Sequence, residues 1–335
     1  MLVRAARDAV FDDTCGKPAQ PPPGPDRGQL VTVNTSLPGS LRSSLLGYWR
    51  QARPAQRFGY LVGGALIMVG LAHLLAWLVA GGAWAGPVPF RKPTTFGISF
   101  GLATITVAWL VGQLPVSHRT GWLLLGPLAA ADTYEVAWVS LQRWRGVASH
   151  FNYGTTVDFV LFLLGGAAIL VEVTVVLALM VLALTAMKAP PSIALAIRAG
   201  LLIMLVAQVV GGWMIQHGQG PASDGVTEGL TTFGAAGVMK VPHGVAIHAI
   251  QVLPALAWLL SFAAVGERRR LSLVRIASFG FVALVAVSLL QTATGVAPFD
   301  VGVVAVVLYL SGAGLLGSVF TAALLALRHP NPAAA

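Results

Sequence analysis

The sequence predicts an all-α fold, a polytopic transmembrane helix bundle of about eight transmembrane helices. Three observations predict it. Of 335 residues, 56% are hydrophobic and only 10% charged, with a mean hydropathy of +0.78. A soluble domain carries about 25% charged residues, so this chain has too few to cover a water-facing surface. Apolar runs of roughly 20 residues recur along it, the length a helix rising 1.5 Å per residue needs to cross about 30 Å of hydrocarbon. The basic residues behind the net charge of +9 sit mainly in the N-terminal tail and in the short connections between those runs. There they set membrane topology and offer nucleic acid no basic domain to bind.

The elements follow in chain order. Residues 1–57 form an N-terminal tail on the cytoplasmic side. It opens with acids and lacks the apolar core of a signal peptide. Pro21, Pro22, Pro23 and Pro25 make its first part an extended, disordered stretch. The abrupt change of character after it permits translation to start at Val31 or Val33, which an N-terminal mass measurement would settle. Arg42, Arg50, Arg53 and Arg57, interleaved with Leu45, Leu46, Tyr48 and Trp49, suit a segment lying on an anionic leaflet. The bundle occupies residues 58–327, with spans at 58–80, 94–114, 122–141, 157–187, 193–216, 243–264, 273–293 and 301–327. Residues 328–335 form a C-terminal tail. Gly97 with Gly101, and Gly314 with Ser318, are spaced for close helix packing. Pro254 is expected to kink the sixth span by freeing the Ile250 carbonyl. Cys15, the single cysteine, excludes an intrachain disulfide and a cysteine-rich metal site.

With the N-terminus inside, the inner segments carry the tail arginines, Arg119, Lys188, Arg268, Arg269, Arg270 and Arg328. The outer loops carry Arg91, Lys92, Arg143, Arg145 and Lys240. This bias favours a plasma-membrane protein with both termini in the cytoplasm.

The polar residues lean towards the outer half. Asp132 and Glu135, three apart, share a helix face. They suit general acid and base, or metal ligands, and equally suit structural pairing with Arg143 and Arg145. Glu172, deepest of the acids, is a proton-relay group or a buried neutral carboxyl. His73 and His248 lie about 10 Å and about 8 Å inward from the outer ends of their spans. They are candidate axial ligands of a b-type haem, or members of a metal site, or simple structural hydrogen-bonding groups. Arg91 and Lys92 are placed to hold an anionic headgroup, carboxylate or phosphate. His150, Asn152, His243 and Gln251 are candidate groups at the mouth or wall of a polar cavity. His243 and His248 are five apart, so they do not form a same-face metal pair.

The segments Pro89-Phe90-Arg91-Lys92-Pro93, Ser149-His150-Phe151-Asn152 and His243-Gly244-Val245-Ala246-Ile247-His248 through Pro254 resemble those of a group of bacterial multi-spanning membrane proteins. That resemblance covers the first through seventh spans. Ala246 stands where the group's pattern has a glycine. The resemblance implies the membrane architecture and draws attention to the outer-face segments; it implies no activity.

Four functions follow from these residues. A haem- or metal-binding redox protein comes first. An outer-leaflet lipid- or isoprenoid-modifying enzyme, a proton-coupled transporter and a helper subunit with membrane-protein partners are the alternatives. In every case the lipid bilayer is the surrounding partner.

Overall fold

A computed structural model describes residues 37–226, 228–300 and 302–328. Cys15, the prolines at 21–25, the alternative starts at Val31 and Val33, and most of the C-terminal tail lie outside them. The interfacial segment is a helix, α1 (Leu37–Gln51). Seven helices follow in sequence or in pairs that are long and apolar enough to cross a membrane: α2 (Pro54–Ala80), α3 (Arg91–Gly112), α5 (Thr156–Thr185), α6 (Pro191–Ser223), the consecutive pair α7 (Lys240–Ile247) and α8 (Ala249–Ser261), α9 (Glu267–Ala293) and α10 (Val303–Ala326).

The remaining long helix, α4 (His118–Arg145), is less apolar because it holds Asp132, Glu135 and the terminal arginines. Its 28 residues nevertheless run from the end of the bundle where α3 stops to the end where α5 starts. Among the described residues, about eight crossings result. Large apolar side chains such as Leu61, Leu75, Val79, Leu170, Val209 and Leu310 are exposed around the outside. Water would penalise that surface, whereas lipid accepts it. This is an integral membrane protein.

Local chemistry sets the helix limits. Pro54 occupies the first turn of α2, where its missing N–H costs nothing. Arg53, just before it, donates to the carbonyls of Val116 (2.6 Å) and Val111 (2.8 Å), satisfying the far end of α3. Ser117 and Thr155 accept backbone N–H groups at the starts of α4 and α5. Gly146 ends α4 in the left-handed region at φ 72°.

The closest packing joins α2 to α3. Cβ atoms built at Gly63 and Gly101 would lie 2.6 Å and 2.5 Å from each other's carbonyl oxygens, so only glycine permits this backbone approach. The spacing of Gly97 and Gly101 therefore serves the seam with α2. The second expected pair does not serve in this way: Gly314 meets nothing within 4 Å, and α9 and α10 approach instead at Gly280 and Gly312. The sixth span is interrupted at His248, which ends α7 and precedes α8, while Pro254 is accommodated inside α8. The connection between α6 and α7 is shorter than expected, since α6 continues to Ser223, and it holds a two-residue antiparallel hairpin, β1 (Thr232–Phe233) with β2 (Gly237–Val238).

Candidate functional site

The polar residues converge at the end of the bundle where α3 begins and α4 ends. Asp132, Glu135, Trp138 and Gln142 recur at helical spacing on one face of α4, and all four are buried. Trp138 lies against Gly165 of α5, where a side chain would overlap the indole. The ring thus becomes a fixed platform. His150, in the connection 146–155, stacks on it with centroids 4.6 Å apart and planes 17° apart.

That connection is tightly shaped. Asn152 donates to the Ala148 carbonyl and accepts from the Gly154 N–H. Phe151 adopts φ 56°, a left-handed conformation costing an unbranched non-glycine residue on the order of 1 kcal/mol. Phe151 packs on Phe162, and its ring would be struck by any Cβ at Gly218. Packing from α5 and α6 therefore holds the strained turn.

Lys92, at the start of α3, closes the arrangement. Its Nζ donates to Ser149 Oγ (2.6 Å) and to His150 Nδ1 (2.9 Å). With Nδ1 accepting, the ring proton belongs on Nε2. Arg91 and Lys240 lie exposed nearby and add positive potential. A cleft of about 10 Å³, bounded by Pro89, Lys92, Val139, Arg143 and Ser149, has room for one water molecule.

Beneath this lid lies a line of acids. At 1.5 Å per residue, Glu135 is about 15 Å, Asp132 about 20 Å and Glu172 about 24 Å along their helices from the lid end. All three are buried and lie within electrostatic reach of one another. Asp132 accepts from Thr104 Oγ1 at 2.5 Å. One carboxyl oxygen each of Glu135 and Glu172 is buried without a hydrogen-bond partner. Unpaired carboxylates in so apolar a setting cost several kcal/mol, and such groups relieve that cost by taking a proton.

Arg143 and Arg145 do not pair with these acids. Arg145 binds Asp158 at 2.5 Å, in a corner completed by Gln142 and Thr155, and Arg143 lies 3.8 Å over the Phe90 ring. The corner ties the end of α4 to the start of α5. Structural pairing of Asp132 and Glu135 with the two arginines is thereby corrected.

Other expectations are corrected too. His73 places Nδ1 on the Val69 carbonyl (2.8 Å) and accepts the Trp144 indole N–H on Nε2 (3.0 Å), leaving no nitrogen for haem or metal. His248 is exposed at the α7–α8 break and contacts Gln251 (2.6 Å). The hydrogen-bonding and ring partners of the two histidines do not overlap: Val69 and Trp144 for His73, Gln251 for His248. Among the described residues, no group of three or more His, Cys, Asp or Glu is placed to hold a metal ion. His243 bonds the Ala207 carbonyl and joins α7 to α6, Asn152 shapes its own turn, and Gln251 lines a separate groove. None of these three reaches Lys92 or the acids through a hydrogen bond.

Comparison with protein families, curated proteins and solved structures finds nothing that matches this chain. The site must be read from its own chemistry. Thr104, Trp138, Trp144 and Ser149, none of them a candidate site residue from the sequence, are the partners that give the acids and histidines their surroundings.

Two results are expected of the lid. Burial, then the positive charges of Lys92 and Lys240, hold His150 well below the usual histidine value of 6.5, so it stays neutral in the folded protein. The unfolded chain binds a proton there first. Stability is therefore full above pH 6.5 and falls as the pH drops below it, by at most about 1.4 kcal/mol per pH unit from this group. Unfolding in detergent between pH 5 and 7 should show that slope, and His150→Gln should flatten it. Lys92→Met removes the donor shared by Ser149 Oγ and His150 Nδ1 and leaves those two groups only each other, 3.1 Å apart, at a cost of about 0.5–1.5 kcal/mol. Hydrogen exchange should rise across residues 146–155; unchanged protection there would show that Lys92 does not hold the lid.

Proposed function

We propose that this chain is a proton-coupled plasma-membrane transporter that exchanges protons between the extracytoplasmic side and acids at mid-membrane. In this reading both termini are cytoplasmic, as the arginines of the inner connections favour, and the chain belongs with the bacterial multi-spanning group its segments resemble. The lid of Lys92, Ser149 and His150 controls entry, and Glu135, Asp132 and Glu172 accept the proton in turn. One observation carries the proposal: three buried acids from two helices lie within electrostatic reach of one another, two of them with a buried carboxyl oxygen that no described protein group satisfies. Fixed ion pairs would suit a structural role; vacant acceptor positions suit a group that gains and loses a proton. The exposed Arg91 and Lys240 favour an anionic solute as the coupled species.

A hydrophobic carbodiimide tests the proposal, because it adds to protonated carboxyls in an apolar phase. Peptide mass mapping should find the adduct on Glu172 or Glu135, with labelling that declines as the pH rises. Absence of an adduct on all three acids from acid to alkaline pH would contradict proton exchange at this site.

A further inference from the structure

A second feature lies at the opposite end of the bundle, independent of the acids. A groove of about 360 Å³ runs beneath α1, between α3 and α8. Leu45, Tyr48, Trp109, Pro254 and Trp258 supply much of its wall, with Gln251 also on its lining. Tyr48 packs against both indoles, with centroids 6.3 Å from Trp109 and 6.4 Å from Trp258. The Trp258 indole nitrogen is buried and has no hydrogen-bond partner. An apolar channel walled by aromatic rings matches an acyl chain.

The charge around the groove specifies the head of that molecule. Residues 37–80 contain four arginines, Arg42, Arg50, Arg53 and Arg57, and no acid. Arg53 is committed to the carbonyls of Val111 and Val116, and Arg57 to those of Trp49 and Arg50, which fixes α1 to α2. Arg42 and Arg50 are exposed, two turns apart along α1, and form no salt bridge among the described residues. Arg42 lies about 20° round the helix from Trp49, beside the face that carries Leu45, Tyr48 and Trp49 into the groove, and Arg50 lies about 80° further round and about 12 Å along the axis, so that only their extended side chains converge.

We infer that the groove is a site for one anionic glycerophospholipid, its acyl chain under α1 and its phosphate at Arg42 and Arg50. The occupant clamps α1 onto the bundle. Native mass spectrometry of the delipidated full-length protein, given phosphatidylglycerol and phosphatidylcholine of identical chains, tests this. The wild type should retain one phosphatidylglycerol at least about five-fold more than phosphatidylcholine. Replacing both exposed cations (Arg42→Gln with Arg50→Gln) should equalise the two lipids, and this surface change leaves the core intact. Ala255→Phe, which fills the exposed groove wall, should remove the adduct altogether. Equal retention of the two lipids by the wild type would overturn the inference, as would preference surviving the double arginine change or an adduct surviving Ala255→Phe.

Discussion

Gly101→Leu is expected to cause a large loss of stability in the bundle. A side chain at this position meets the backbone of α2 at Gly63 and Ile67, which cannot rotate away as a flexible side chain could. Overpacking in a yielding core costs about 1–3 kcal/mol, and contact with backbone places this case at or above that range. The consequence extends beyond the seam. α3 carries Lys92 at one end and Thr104 at its middle, so separating α3 from α2 shifts both the lid and the partner of Asp132. Thermal unfolding in detergent should show the loss, and Gly314→Leu, at a position with open surroundings, should leave the midpoint nearly unchanged. Similar midpoints for the two variants would argue against the seam.

Glu172→Gln is expected to have the largest effect on function with little effect on folding. The amide keeps the shape of the carboxyl and removes the possibility of a buried charge next to Asp132 and Glu135. Stability should hold or rise slightly, because an unsatisfied buried acid is retained at a cost to the fold. Proton exchange beyond Glu135 and Asp132 should cease. A structural acid would behave in the opposite way, with destabilisation and unaltered titration of the remaining groups. Glu135→Gln should interrupt the path nearer the lid, and the two single changes should together resemble either one alone.

Much of the fold was legible in the sequence because bilayer thickness and hydropathy fix where spans lie. The third apolar run, at 122–141, lies within α4 (His118–Arg145), although its acids and terminal arginines make that helix less apolar than the others. The break at His248 was not anticipated, since Pro254 is the more obvious interruption yet α8 continues through it. The acids were visible as charges in apolar runs, and their three-residue spacing correctly placed Asp132 and Glu135 together. Their surroundings were not visible. Lys92 meets Ser149 and His150 across more than fifty residues, and Trp144 meets His73 across 71. Such contacts depend on how helices pack, which periodicity within one helix does not encode. His73 illustrates the consequence: as an isolated histidine it suits a ligand or a structural bond, and only the Trp144 indole on its second nitrogen decides between them.

Proton uptake at the buried acids is tested most directly by infrared difference spectroscopy of the protein in lipid, taken across an acid-to-alkaline titration. The wild type should show the carbonyl band of a protonated carboxyl losing intensity as carboxylate bands grow. Glu135→Gln and Glu172→Gln should each remove part of that signal while leaving the amide bands unchanged. A wild-type spectrum without any titrating carboxyl band, or one that both substitutions leave intact, would contradict the account.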